Sequence, residues 1–151
     1  MTDTRIAAFA AVFAALYAAH QVADHWIQTQ YQADRKGQPG RAGRIACAAH
    51  VTTYIATAVL ALLAMAHYTG LTLHLPATVA GLTVSALTHY FADRRTPLAK
   101  LARLTGCDRF YRLGTPRPGH DDNPSLGTGA YALDQSWHIG WLFITALVVI
   151  A

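Results

Sequence analysis

The sequence predicts an all-α fold: a four-helix, up-down-up-down transmembrane bundle with a short amphipathic surface helix before the last helix. Three observations carry that expectation. First, 53% of the 151 residues are hydrophobic and 13% are charged, about half the charge of an ordinary soluble domain. Second, four apolar segments (roughly 6–33, 45–66, 76–93 and 129–151) are separated by stretches rich in Gly, Pro and basic residues. Third, no segment sustains the alternation of a strand, and no repeat of solenoid type is present. A chain of this length makes one domain, 1–151, large enough to bury a core. The mean hydropathy of +0.23 is low for a membrane protein, so a soluble bundle with unusually apolar helices is the competing expectation.

The first segment opens on the apolar run Ile6–Ala19, which is similar to the core of a secretion signal. The run continues straight into His20 and Asp24, so retention rather than cleavage is expected. Loop 34–44 (DRKGQPGRAGR) is basic and turn-rich. Segments 45–66 and 129–151 are long enough to cross a bilayer, whereas 6–33 and 76–93 are interrupted or short. A short loop, 67–75, precedes Pro76, which suits the first turn of the third helix. Within the basic loop 94–128, Pro97–Thr105 sets Leu98, Leu101 and Leu104 at helical spacing, with Lys100 and Arg103 between them. That is the pattern of a helix lying on a membrane surface or on the bundle. Cys47 and Cys107 form no CxxC or other framework, so no structural disulfide is expected.

Charge follows the loops. The amino-terminal stretch holds one basic residue, Arg5; loop 34–44 holds four and loop 94–128 seven. Loop 67–75 and the carboxyl end hold none. The positive-inside rule then predicts a multi-pass protein of the cell's inner or plasma membrane, with both termini outside and the two basic loops cytoplasmic. A net charge of +4 can also serve nucleic acid, but no DNA-reading motif appears. Membrane lipids are the expected partners.

Three His/Asp pairs sit four residues apart: His20/Asp24, His89/Asp93 and Asp134/His138. That spacing is just over one helical turn, so each pair projects from one helix face. His50 lies early in the second segment. In an up-down-up-down order the late part of helices one and three meets the start of helices two and four. All seven residues therefore gather at one end, beside the basic loops. Ionisable groups at membrane depth are costly and face the interior when they occur. A cation among three carboxylates offsets that cost. The expected cofactor is a divalent transition metal (Zn, Mn, Fe or Ni), one or two ions. The competing readings are a buried His–Asp hydrogen-bond network that staples the helices, and a proton or ion path.

Around this set, Gln28 and Tyr54 continue the His20/Asp24 and His50 stripes, and Gln135 adjoins Asp134. Asp134 and Gln135 are the candidate catalytic residues; Gln28, Tyr54, Arg94 and Arg95 are candidates for substrate binding. His25 points about 100° away from Asp24 on a helix. His67 and His74 fall at the opposite end and read as surface residues. The His120–Asp122 triplet reads as a solvated turn. Gly127-Thr128-Gly129 reads as a helix cap, with phosphate binding as the weaker alternative.

The ordered pattern HxxxD-xxxQT, H-xxx-Y, HxxxD and DQxxH resembles domain-of-unknown-function family 3307, a group of small bacterial and phage proteins. The matching residues run from His20, Asp24, Gln28 and Thr29 through His50 and Tyr54 to His89, Asp93, Asp134, Gln135 and His138. One departure is His25, where the family usually has Phe. The resemblance implies no activity. The layout is also similar to that of small membrane-bound metal-dependent hydrolases, which implies hydrolysis of an anionic, phosphate- or lipid-like substrate. Non-catalytic binding or transport of metal ions or protons, and a regulatory role for the basic loops, are the alternatives.

Overall fold

A computed structural model describes residues 2–115 and 127–151. Arg117 and the His120–Asp122 triplet lie outside the described residues. Those described are helical throughout their regular structure, as expected. The elements are α1 (Thr2–Val22), a π turn (Ala23–Ile27), α2 (Gln30–Arg35), α3 (Gly40–Thr69), α4 (Leu75–Asp93), α5 (Thr96–Leu104), α6 (Asp108–Tyr111) and α7 (Gly129–Val149).

Three boundaries differ from the sequence expectation. Segment 6–33 is not one helix. It passes through the π turn and then breaks at Gln28, whose ψ of 125° is not helical. Thr29 restarts the chain through a capping box: its hydroxyl accepts the Gln32 N–H, and the Gln32 side chain accepts the Thr29 N–H at 2.8 Å. This T-x-x-Q arrangement satisfies two N–H groups that a helix start leaves unpaired. Helix α3 begins five residues before the expected 45, after Pro39, and ends at Gly70. The φ of +70° there costs a glycine little and suits a helix end. A further helix, α6, follows the surface helix.

Helix α5 falls within one residue of its expected span. Leu98 and Ala102 face inward while Leu104 is exposed, so the core-facing stripe is shifted from the Leu98–Leu101–Leu104 spacing. Two helical stretches among the described residues are long and apolar enough to cross a membrane, Thr4–Ile27 and Gly40–Thr69. The expectation of four is not met by length and composition. Helices α4 and α7 spend His89, Asp93, Asp134, Gln135 and His138 on the polar end, and this lowers their apolarity.

The four long helices close a cycle of contacts: α1 with α3, α3 with α4, α4 with α7, and α7 with α1. Their shared core is built from Val12, Leu16, Tyr54, Leu62, Leu142 and Val149, with small residues such as Ala58 and Ala146 between. Burial of one such large side chain contributes about 1.5–3 kcal/mol. The small residues let backbones approach. At Gly81 of α4 an added Cβ would stand 2.7 Å from Val149 Cγ2 and 3.1 Å from the Thr145 carbonyl oxygen of α7. Trp137 ties the same pair of helices, donating its indole N–H to the Thr88 carbonyl at 3.0 Å and stacking on Phe91.

Candidate metal centre

The end of α1 and α4 meets the start of α3 and α7, and the seven expected ligands converge there. Asp24 reaches the cluster from the π turn. The Gln28 N–H bonds the Ala23 carbonyl at 2.8 Å, one residue further along than an α-helix allows. The inserted residue re-aims Asp24 relative to the helix before it, as π turns at functional sites do.

The tightest grouping joins the π turn, α3 and α4. His50 Nε2 lies 3.0 Å from His89 Nε2, 3.2 Å from Asp93 Oδ2 and 3.4 Å from Asp24 Oδ1. His89 Nε2 lies 3.3 Å from Asp93 Oδ2 and 3.6 Å from Asp24 Oδ1. Two triangles therefore share the His50–His89 edge, one closed by each carboxylate. A ring nitrogen carries at most one proton, so it cannot serve all three of its neighbours as a donor. Asp24 Oδ1 and Asp93 Oδ2 are in fact buried without a hydrogen bond of adequate geometry. Ligands about 2.1 Å from a common ion stand roughly 3.0–3.4 Å apart, depending on octahedral or tetrahedral geometry. The Asp93 triangle, with edges of 3.0, 3.2 and 3.3 Å, falls inside that range, and the Asp24 triangle exceeds it on its 3.6 Å edge alone. Imidazole and carboxylate donors suit a borderline divalent ion such as Zn, Mn, Fe or Ni.

Packing fixes the rings. Tyr54 stacks on His89 with centroids 4.0 Å apart, and its hydroxyl shares a 2.5 Å hydrogen bond with Ser85. Tyr54 is thus enclosed beneath the cluster. His50 Nδ1 has no partner, so neighbouring rings rather than a second hydrogen bond hold that imidazole. His20 is fully buried, 3.5 Å from Asp24 Oδ2, with its ring centroid 4.9 Å from that of His138. His138 Nε2 is buried without a hydrogen bond, 3.6 Å from Asp134 Oδ2. Two further triads have ligand atoms within 4.8 Å of one another: His20/His89/His138 and Asp93/Asp134/His138.

Lys36 was not among the expected site residues. Its ammonium lies 2.7 Å from Asp93 Oδ1, and both side chains are largely buried. The signal in the sequence was a single lysine within a basic loop, indistinguishable there from its arginine neighbours.

A cleft of about 700 Å³ opens from the cluster. Asp24, Asp93, Asp134, Gln135, Gln28 and Lys36 border it, together with Arg95 and Tyr111. The volume suits a small molecule. Arg95 is held in a positive-φ γ-turn, φ 57° and ψ −52°, with the Thr96 N–H bonded to the Arg94 carbonyl. A non-glycine residue in that conformation costs about 1–3 kcal/mol, a kind of strain that clusters at functional sites. Burial and nearby Asp134 raise the Tyr111 phenol above its ordinary range, so it stays a hydrogen-bond donor at neutral pH. Arg94 is differently employed: its guanidinium donates to the Lys36 and Gln38 carbonyls and fastens loop 36–38 beside the site.

The remaining expectations resolve as follows. His25 lines the cleft and contacts the Gln21 carbonyl and the Tyr131 hydroxyl. His67 and His74 are exposed. Thr128 caps α7 by accepting the Tyr131 N–H, and Gly129 packs against the Phe110 carbonyl where a Cβ would not fit. The Gly-Thr-Gly stretch is therefore explained by capping and close approach.

No curated protein and no solved structure matches the chain. A family model described as Protein of unknown function (DUF3307) matches residues 12–151. The match spans the whole convergent set from His20 to His138, and the chain belongs to that family.

Proposed function

We propose that this is a multi-pass membrane protein that holds a divalent transition metal among Asp24, His50 and His89, and that it hydrolyses an anionic ester at the adjoining cleft. The observation that carries the reading is the pair of ligand-sized triangles on the His50–His89 edge, whose carboxylate oxygens are buried without hydrogen bonds. A bound ion of this class would polarise a substrate oxygen and lower the pKa of a water toward neutrality. The chain's own groups supply the rest. Lys36, Arg95 and the Tyr111 hydroxyl face the cleft and complement a phosphate-like group. Asp134, on the cleft margin with a side chain 27% exposed, is placed to accept a proton from water, and Gln135 donates to its Oδ2 at 3.4 Å. The apolar layer of Leu16, Leu62 and Leu142 beyond the cluster counts against a conduction path.

The test is elemental mass spectrometry on protein purified in mild detergent, beside turnover of a panel of aryl phosphates and anionic phospholipids. His89→Ala and Asp24→Asn should lose metal and at least about 100-fold of turnover. Arg95→Gly should keep the metal and raise KM for the anionic substrate. Wild type that stays metal-free after reconstitution would sink the reading. Metal with no turnover on any ester would sink its hydrolytic half alone.

A further inference from the structure

The reading above places one ion among Asp24, His50 and His89. It leaves three groups beside that ion without employment as ligands. His138 is 3% exposed, and its Nε2 has no hydrogen-bond partner. Asp134 Oδ2 lies 3.6 Å from it, too far to satisfy it. Asp93 Oδ2, 2% exposed, is likewise unpartnered. One ligand atom from each of Asp93, Asp134 and His138 falls within 4.8 Å of the other two. Ligands on opposite sides of an ion about 2.1–2.2 Å away span roughly 4.3 Å. One pair of the triad can therefore stand opposite across an ion, and the third ligand must draw closer to both to complete the site.

We propose that Asp93, Asp134 and His138 form a second divalent-cation site, so that the centre is binuclear and Asp93 is common to both ions. The two triads share no residue: one draws on the π turn, α3 and α4, the other on α4 and α7. Asp93 already borders the first through Oδ2, at 3.2 Å from His50 and 3.3 Å from His89. A carboxylate between two ions is a common way to hold a pair that activates and receives oxygen atoms in ester hydrolysis.

Charge gives the second ion its functional sense. Three carboxylates, Asp24, Asp93 and Asp134, face one ammonium, Lys36. With the histidines neutral, one divalent ion brings this cluster to neutrality. A second leaves excess positive charge at the cleft, where Asp134 and Arg95 stand. That excess is what an anionic substrate would meet. The His20/His89/His138 triad is the other place for a second ion, but it holds no carboxylate and none of its members lines the cleft, whereas Asp93 and Asp134 do.

This proposal rests on the metal reading, and ion counting separates the two. The full chain in detergent is stripped with chelator, reloaded with Mn(II), desalted, and measured by elemental mass spectrometry and electron paramagnetic resonance. Two ions per chain with an exchange-coupled signal are expected. His138→Ala and Asp134→Asn should each fall to one uncoupled ion, with helicity and gel-filtration behaviour unchanged. Asp134 sits on the cleft margin, so its conservative variant keeps the test open if His138→Ala does not fold. One uncoupled ion in the wild type would overturn the second site and keep the first. A metal-free wild type would overturn both. Two ions retained in both variants would overturn the assignment to Asp134 and His138.

Discussion

Lys36 shows how a single residue ties a loop to the candidate centre. Its ammonium neutralises Asp93 from the side away from the histidines, at 2.7 Å and with 12% of its own side chain exposed. Breaking a buried pair by removing one partner costs about 3–5 kcal/mol, because the other charge is left uncompensated. Lys36→Met should therefore lower the melting temperature of metal-free protein substantially. A bound cation would supply the missing positive charge and adds about 2.7 kcal/mol at a hundredfold excess over Kd. Most of the loss should then be recovered when divalent metal is added. Thermal unfolding in detergent, with chelator and with Zn(II), reads both; an equal loss in the two conditions would mean that Asp93 takes no part in ion binding. The ligands themselves were legible because helical spacing is periodic: four residues put His20 and Asp24, or His89 and Asp93, on one face. Lys36 was not legible, because its pairing with Asp93 joins a loop to a helix end across 57 positions of sequence, and no local pattern encodes that closure.

Element boundaries were legible where side chains cap helices and illegible where only the backbone changes. The sequence through residue 27 gives no sign of the π turn, because an i→i+5 hydrogen bond needs no particular side chain. The restart at Thr29 had a readable capping pattern with Gln32. The contact of α4 with α7 depends on an absence, the missing side chain of Gly81. A Leu there would drive its first carbon to within 2.7 Å of Val149 Cγ2, and overpacking of this kind costs about 1–3 kcal/mol. Gly81→Leu should lower thermal stability by that amount. Since α4 carries His89 and Asp93 and α7 carries Asp134 and His138, it should also weaken metal retention. Thr83→Leu, on the exposed face of the same helix, is the control and should change stability by no more than about 0.5 kcal/mol. If both variants behave alike, the close approach at Gly81 is not what positions the two helices.

At the scale of the molecule, the apolar surface points outward. Only 28% and 33% of the two apolar windows are buried, whereas the core helix of a soluble protein is mostly covered. Leu60, Leu63 and Leu87 are each at least 60% exposed. Exposed Trp26 and Tyr31 sit at the cluster end and exposed Tyr68 at the other, the placing expected of aromatic residues at two lipid–water boundaries. Helix α3, with 30 residues, is roughly 45 Å long, enough to pass through the hydrocarbon and headgroup layers. The basic residues between 34 and 44 and those of α5 and α6 then favour the cytoplasmic face for the cluster. The native cysteines can test this orientation without new ones being introduced. Cys107 is exposed between α5 and α6, while Cys47 is buried within α3. A membrane-impermeant maleimide should leave intact spheroplasts unlabelled and label inverted membrane vesicles at Cys107. Cys107→Ser should abolish that labelling, since buried Cys47 is out of reach. Labelling of Cys107 in intact spheroplasts would invert the orientation and put the cleft outside. Recovery of the chain in the soluble fraction after lysis would instead favour a soluble helical protein whose apolar faces meet partners other than lipid.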